Sequence, residues 1–346
     1  MDERLKQKFT RLHGTVWPYA ALSFVPPIFY IQLHGNALDQ VMQRYEMLFT
    51  ALQGRRAYCI FCYSFDLTPW LVRGVRQMES ELNSRFPNLE LIHLGNTVEH
   101  CRLLAEAGER AIFCNQNCFI DERIFRPDPA VTQRLDAVYD ATLTPIKRHH
   151  LANRIASLGL IYYPTPYDHP DYVARIKHEL AYAHWFNHDA AGTHHLLNPM
   201  EVARALNGCR VGLCLSDQEG AMWASMQYLL SGLPVVTTPS EGGRDEFFDA
   251  RYVRTVPAEA EAVARAVAEL VAARLDPEAI RRATLEKVQP HRGRFIALVQ
   301  ELYDRSGVNR RFADEWNAIF FNRMIAQRSH LETIARMQQA WAGSQA

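Results

Sequence analysis

A carboxylate, a glycine and the predicted start of a helix follow one another at Glu219, Gly220 and Ala221. Backbone N–H groups at the start of a helix bind anions, and a carboxylate accepts hydrogen bonds from hydroxyl groups. Lys147 follows another predicted strand and would place a positive charge beside a phosphate. These residue types in this order therefore indicate a site for an anionic ligand that carries hydroxyl groups.

The chain around this turn predicts the elements that position it. The apolar run 211–215 has the length of a strand buried on both faces. A helix is expected from Ala221, with Gly232 ending it, and residues 233–238 are typical of the next parallel strand. A Gly-Gly loop at 242–243 follows. This order is a complete βαβ unit, in which a ligand binds at the carboxyl ends of the strands.

Charge and composition exclude some classes of protein. The 346 residues include 38 Lys and Arg and 38 Asp and Glu, so the net charge gives no support to nucleic-acid binding. Seven scattered cysteines indicate a reducing compartment without disulfides. A hydrophobic content of 48% is enough for two α/β cores.

Histidine and cysteine spacing does not predict a metal site. Cys59 and Cys62 have the spacing of a zinc pair, but residues three apart on a strand face opposite sides, and no second pair follows. The adjacent histidines at 149–150 and 194–195 lack the four-residue spacing of ligands on a helix. We expect these histidines to be in solvent and no metal ion to be bound.

The stretch 12–38 carries no formal charge, yet it does not have the pattern of a membrane span. Pro18, Pro26 and Pro27 interrupt it, and a helix in lipid needs about twenty mostly apolar residues with its backbone bonds closed. We expect an apolar loop that leads into a buried first strand at 27–33. The alternative is a loop that contacts lipid or a lipid-linked substrate, which would place a cytoplasmic protein at the inner face of a membrane.

Apolar runs and amphipathic stretches alternate along both halves of the chain, which predicts an α/β protein of two facing Rossmann-like domains. The predicted strands lie at 27–33, 55–65, 89–94, 110–119, 135–143, 158–166, 183–188, 211–215 and 233–238. A turn and helix are expected at 144–156, and helical segments from the alanine-rich stretch at 258–275 to the end. The expected domains are 1–125, shortened, and 126–290, with the helices of 291–346 packing back on the first.

Three segments resemble the GT-B glycosyltransferases, in particular the retaining family 4. Residues 216–246 read SDQEGAMWASMQYLLSGLPVVTTPSEGGRDE and are similar to that family's serine, glutamate–glycine turn, helix, GLPVV strand and Gly-Gly loop. The turn 141–149 reads ATLTPIKRH and looks like the turn after the first strand of that family's second domain. The segment 119–127 reads FIDERIFRP and looks like its interdomain segment. Together the matches cover roughly residues 118–270, in the order of the family.

This resemblance implies the GT-B fold, with a nucleotide-sugar donor held by the second domain and a glycan or lipid-linked acceptor held by the first. It also implies transfer with retention, without a metal ion or cofactor, and leaves the nucleotide base open. Lys147, at the diphosphate, and Glu219, at hydroxyls of the sugar, would be the catalytic residues. Gln227, eight residues and about 12 Å further along the helix, would reach the ribose. The other implied donor-binding residues are Gly220, Ala221, Met222, Thr142, Arg148, Gly242, Gly243 and Gly35.

Two positions depart from the pattern of the family. Gln227 stands where the family has a second glutamate, and Thr142 stands where it has an arginine that binds the diphosphate. Arg148 or Arg244 would have to supply the missing positive charge. These departures favour a second function, a degenerate GT-B protein that binds nucleotide or a partner enzyme without turnover. A dinucleotide enzyme is not indicated, because no G-x-G-x-x-G follows the first strand.

The first domain offers fewer candidates. Gly35 lies between His34 and Asn36 after the first predicted strand, where these residues would border the donor phosphate or the acceptor. His93 and His100 are each candidates for the imidazole that the family places near the sugar. The epimerases and phosphorylases that share the GT-B shape would need flanking carboxylates or a phosphate site, neither of which the sequence locates. The sequence indicates no oligomeric state.

Overall fold

The computed structural model describes residues 16–34, 38–165, 168–320, 322 and 324–343. The chain divides into two compact units, Met1–Phe119 with Pro290–Ala346, and Ile120–Gln289. Each unit contains one six-stranded sheet. Among the described residues, none of the helices combines the length and the hydropathy that crossing a bilayer requires.

The first unit begins with a run of strands and helices. In chain order they are β1 (Val16–Phe24), β2 (Pro27–Leu33), α1 (Val41–Thr50), β3 (Ala57–Tyr63), α2 (Pro69–Arg85), β4 (Leu89–Gly95), α3 (Val98–Glu106) and β5 (Ala111–Phe113). A short 3₁₀ turn, Gln116–Phe119, follows.

The second unit continues the alternation. Its elements are β6 (Leu135–Asp140), β7 (Leu158–Ile161), α4 (Pro170–Glu179), β8 (His184–Trp185), α5 (Pro199–Asn207), β9 (Cys209–Cys214), β10 (Gln218–Glu219), α6 (Trp223–Leu230), β11 (Val235–Thr237), β12 (Glu241–Gly242), β13 (Val253–Thr255) and α7 (Ala260–Ala273). The last elements of the chain are α8 (Pro277–Arg305), α9 (Phe312–Ile319), β14 (Ala326–Ser329) and α10 (His330–Gly343).

The sheet of the first unit has the strand order β14-β1-β2-β3-β4-β5, and β2 to β5 are parallel. All seven residues of β2 and of β3 are buried, which explains why both read as continuous apolar runs. The start of α2 is fixed by Thr68, whose side chain accepts a hydrogen bond from the amide of Leu71, and by Pro69 in the first turn.

The apolar stretch before β2 is a strand, not the loop that its prolines predict. β1 pairs antiparallel with β2 on one side and with β14 on the other. Pro18 lies opposite Gln327 of β14, a strand of four residues at the edge of the sheet. A missing N–H there removes at most one hydrogen bond. The expectation of helical segments from 258 to the end holds for α7 to α10 but misses β14, which lies between α9 and α10 and completes this pairing.

The sheet of the second unit has the order β13-β11-β9-β6-β7-β8, and all its strands are parallel. The carboxyl ends of β11, β9 and β6 are therefore neighbours at one edge. Gly212 of β9 allows α6 to approach closely, because a Cβ at this position would lie 2.4 Å from the ring of Tyr228. The Tyr228 hydroxyl reaches across to accept a hydrogen bond from the amide of Asp140, at 2.6 Å. Tyr228 thus holds α6 against β9, at Gly212, and against the end of β6, at Asp140.

Two helix predictions in this unit are wrong in detail. Residues 144–156 do not form an α-helix but two 3₁₀ turns, Pro145–Lys147 and His149–Ala152. Arg148, between them, has φ 49° and ψ 44°, a left-handed conformation that ends a right-handed turn. Helix α6 begins at Trp223 and not at Ala221. Glu219 belongs to the short strand β10, and residues 220–222 connect that strand to the helix.

Candidate functional site

Lys147 and Glu219 form an ion pair at the carboxyl edge of the second sheet. The Lys147 ammonium contacts the Oε1 atom of Glu219, and the two side chains are 17% and 10% exposed. Lys147 ends the turn after β6, and its carbonyl accepts a hydrogen bond of 2.6 Å from the hydroxyl of Tyr139. The sequence places these two residues 72 positions apart. The fold thus brings together the two side chains that the sequence analysis predicts as catalytic.

The Gly-Gly loop lies directly against the turn that carries Glu219. In the parallel pairing of β10 with β12, Glu219 lies opposite Gly242, and the amide of Gly243 donates to the carbonyl of Gly220 at 3.0 Å. Gly242 has φ 91°, a conformation that side chains disfavour, so glycine is required there. The predicted residues Gly220, Gly242 and Gly243 are therefore brought together beside the ion pair.

The guanidinium of Arg148 donates hydrogen bonds to a backbone carbonyl and to a side-chain hydroxyl. Its Nε donates to the carbonyl of Leu215 at 2.6 Å, and an NH₂ group donates to the hydroxyl of Thr238 at 2.8 Å. These acceptors follow β9 and β11, so the guanidinium ties together the ends of two neighbouring strands. Arg148 therefore has a positioning role that is independent of any ligand.

The guanidinium of Arg244 is also hydrogen-bonded within the protein, and it is buried more deeply than that of Arg148. The residue is 1% exposed, and its guanidinium donates to the carbonyls of Cys214 (3.2 Å), Ser216 (2.6 Å) and Thr238 (2.6 Å). It also pairs with the carboxylate of Asp245 at 2.6 Å. A guanidinium with these bonds cannot reach a ligand without leaving carbonyls unsatisfied. As the chain is folded here, Arg244 is not a replacement for the positive charge missing at Thr142.

The remaining predicted donor-binding residues lie around the same turn. Thr142 is partly exposed and its hydroxyl lies 3.4 Å from that of Thr144, a neutral pair. Ala221 and Met222 are 9% and 5% exposed and connect β10 to α6. Gln227 lies on α6 and is partly exposed. Of the three cations singled out by the sequence near this turn, Arg148 and Arg244 donate to backbone carbonyls, whereas the ammonium of Lys147 contacts the carboxylate of Glu219.

Asp140 and His149 belong to the same edge, although the sequence analysis names no role for Asp140 and expects His149 in solvent. Burial raises the pKa of Asp140 to about 7, and the Lys147 ammonium opposes part of this shift. His149 is 1% exposed, and burial together with Lys147 lowers its pKa to about 3. His149 is thus a neutral, buried ring next to Tyr139 and Tyr172. Its burial corrects the expectation that His149 lies in solvent, because the 3₁₀ turn His149–Ala152 places the ring inside the protein.

We expect Asp140→Asn to stabilise the protein at alkaline pH. The folded pKa of about 7 exceeds the value near 4 of an unfolded aspartate, so ionisation costs the folded state free energy as the pH rises from 4 to 7. The variant should gain about 1–4 kcal/mol at pH 8 and nothing at pH 4. Denaturant unfolding from pH 4 to 8 measures the difference. Asp136→Asn, at the other end of β6, is the control, and equal behaviour of the two variants would contradict the role of Asp140.

The candidate residues of the first unit differ in their exposure to solvent, and two of them lie outside the described residues. Gly35 and Asn36 lie outside the described residues, whereas His34 is exposed after β2, with its Nδ1 atom 2.9 Å from the hydroxyl of Ser64. His93 and His100 are 0% and 2% exposed within their own unit, bonded to neighbouring side chains. A side chain this enclosed has no surface for a sugar, so neither histidine serves as the predicted imidazole in this conformation.

No protein-family model and no curated protein sequence matches this chain. Solved structures do match it. HepE from Anabaena, in complex with UDP, gives a TM-score of 0.52 at 15% identity, over 79% of this chain and 78% of that chain. Sucrose-phosphate synthase from Thermosynechococcus elongatus gives 0.52 at 13% identity, over 78% and 79%.

A third match points to the same fold. A glycosyltransferase from Rickettsia africae gives a TM-score of 0.53 at 13% identity, over 81% of this chain and 77% of that chain. The parallel sheets with helices between their strands agree with these matches. The chain therefore has the α/β fold of the GT-B glycosyltransferases, to which it is similar in structure at 13–15% sequence identity.

Proposed function

We propose that this protein transfers a sugar from a nucleotide-diphosphate donor to a glycan or lipid-linked acceptor, with retention and without a metal ion. The observation that carries the proposal is the Lys147–Glu219 ion pair, set between the Gly-Gly loop and the start of α6. A cation and a carboxylate that neutralise each other without ligand are suited to a ligand that presents both a phosphate and hydroxyl groups.

In the proposed complex the two partners separate. Lys147 would contact the diphosphate and stabilise the charge that develops as it leaves, while Glu219 would accept hydrogen bonds from hydroxyls of the sugar. The pair is more than four-fifths buried, so both interactions would be stronger than in water. Gln227 would reach the ribose through its neutral amide, and Arg148 and Arg244 would hold the two loops in place. No protein nucleophile is needed if the acceptor attacks on the face from which the diphosphate departs.

A thermal-shift screen with UDP, GDP, ADP and their sugars tests the proposal. UDP comes first because HepE is named in complex with it. A ligand at 100 times its Kd stabilises the folded protein by about 2.7 kcal/mol, which is about 5–10 °C in melting temperature for a unit of this size. Uridine without phosphates should give no comparable shift. If millimolar concentrations of all three diphosphates leave the melting temperature unchanged, the donor site is not there.

The second candidate function is a GT-B protein that binds nucleotide or a partner enzyme without turnover. It is favoured by Gln227, by Thr142, and by the engagement of Arg148 and Arg244 in backbone hydrogen bonds, which leaves Lys147 alone of these three cations for the diphosphate. The two functions separate in one assay. A protein that is stabilised by a nucleotide diphosphate, yet neither hydrolyses nor transfers from any of the corresponding sugars, belongs to the second.

A further inference from the structure

Three side chains that could bind a metal ion converge inside the first unit. Glu79 comes from α2, His93 from β4 and Glu109 from the turn before β5, and their ligand atoms all lie within 4.8 Å of one another. The Nε2 atom of His93 is 2.9 Å from Oε1 of Glu79. His93 is 0% and Glu79 8% exposed, whereas Glu109 is partly exposed and connects the cluster to solvent.

The imidazole of His93 is held in one orientation. Its Nδ1 atom lies 2.5 Å from the hydroxyl of Tyr63, and its ring stacks on Phe61 (centroids 5.7 Å apart) and on Tyr63 (6.0 Å). Histidines that bind metals characteristically have the nitrogen away from the metal fixed by such a hydrogen bond, which sets the ring and its tautomer. With Nδ1 occupied by Tyr63, Nε2 is the nitrogen that faces the two carboxylates.

The charges in this cluster do not balance within the protein. Across the described residues, no Lys or Arg nitrogen lies within 4.0 Å of either Glu79 or Glu109; the neighbouring Arg110 pairs instead with Glu90 and Glu301. The two carboxylates and the Nε2 atom of His93 thus face one another, and a divalent cation between them would be close to all three ligand atoms.

The kinds of ligand favour the cation and indicate its class. One imidazole nitrogen and two carboxylates are ligands that zinc and related divalent transition metals accept, and the two carboxylates match the charge of such an ion. Magnesium and calcium prefer shells of oxygen alone. At a metal–ligand distance near 2.1 Å, tetrahedral ligand atoms lie about 3.4 Å apart, which is within the 4.8 Å that bounds the separation of these three ligand atoms.

We propose that Glu79, His93 and Glu109 bind one divalent transition-metal ion, of which zinc is the first to test. The ion would tie α2 and the turn before β5 to β4, and it is separate from Lys147 and Glu219, the residues of the proposed sugar transfer, which lie in the second unit. This site differs from the Cys59–Cys62 pair that the sequence excludes as zinc ligands.

Metal analysis of the untagged protein, followed by zinc titration of protein stripped with EDTA, tests this site. We expect one zinc ion per chain and a higher melting temperature once zinc is restored. Glu109→Gln, at the partly exposed ligand, should fold and bind zinc at least tenfold more weakly. Glu106→Gln is the matched control, because Glu106 is exposed and pairs with Arg102 on α3. It should bind zinc like the wild type.

Two results would overturn the site. The first is stripped protein whose melting temperature zinc does not change, which would leave the cluster as hydrogen bonds among its own side chains. The second is equal zinc affinity of Glu109→Gln and the wild type, which would place the ion elsewhere. Thermal shifts with nucleotide diphosphates, measured on Glu109→Gln, report the proposed function independently, so failure of either proposal is visible without the other.

Discussion

Replacing Lys147 by glutamine is expected to lower kcat/KM for sugar transfer by about 10²–10³-fold, which is the usual effect of removing one preorganised electrostatic contact to a transition state. The reason is structural. Arg148 and Arg244 donate to backbone carbonyls, and Thr142 is neutral, so no second side chain at this turn takes over the diphosphate. Initial rates of donor consumption at saturating acceptor measure the effect.

Two further variants give the Lys147 result its meaning. Lys177→Gln removes one exposed lysine from α4 of the same unit and should leave the rate unchanged. Glu219→Gln should lose transfer as well, but it releases the ammonium of Lys147 from its partner and should therefore bind the nucleotide diphosphate at least as tightly as the wild type. Weaker nucleotide binding by Glu219→Gln would contradict the division of roles between the two residues.

Replacing Arg244 by methionine is expected to lower the free energy of unfolding by about 3–5 kcal/mol, because hydrogen bonds from a charged group contribute about 1.5–3 kcal/mol each and several are lost together. The substitution removes one donor from each of three carbonyls and the charged partner of Asp245. Denaturant unfolding monitored by circular dichroism gives the change. If the variant does not accumulate as folded protein, Arg244→Lys, which retains one charged group, should recover part of the loss.

The control for Arg244 is Arg251→Met. Arg251 pairs with Asp249, two positions away, but its side chain is 70% exposed, and exposed pairs contribute about 0–1 kcal/mol. A ligand-binding role for Arg244 predicts the opposite pattern, with an unchanged free energy of unfolding and a raised KM for the donor. That outcome would return Arg244 to the list of diphosphate cations.

The organisation of the second unit is predictable from sequence because its signals are local. The strand at 211–215, the strand near 235 and the glycine stop at Gly232 follow from short apolar runs and residue type alone, and they appear in the structure close to their expected bounds. Gly232 has φ 76°, and a Cβ there would lie 2.4 Å from Pro277. A glycine that ends a helix is recognised from residue type alone, without knowledge of residues that are distant in the sequence.

The predictions from sequence fail where an element depends on residues that are distant in the chain. β1 is a strand because β2 and β14 supply hydrogen bonds from both sides, and β14 is about 310 residues away in the chain. Pro18 in β1, together with Pro26 and Pro27 after it, predicts a loop only while that partner is unknown. Pairing over this separation leaves no short-range pattern in the sequence.

The same limit applies to the site. The resemblance implies that Lys147 and Glu219 bind the same donor, but their direct ion pair, like the engagement of Arg148 and Arg244, depends on how the folded strands present their partners. The raised pKa of Asp140 depends on burial beneath that edge. An acidic residue at the end of a strand predicted to face a ligand is a signal that the sequence contained, and it marks a position worth testing.

The claim that Lys147 and Glu219 form a donor site is tested most directly by calorimetric titration of UDP into the wild type and Lys147→Gln, followed by GDP and ADP if UDP gives no heat. We expect one bound nucleotide diphosphate per wild-type chain and binding about 10- to 150-fold weaker in the variant, because a charged hydrogen bond contributes about 1.5–3 kcal/mol. Equal affinities in the two proteins, or no heat from any of the three nucleotides, would contradict the claim.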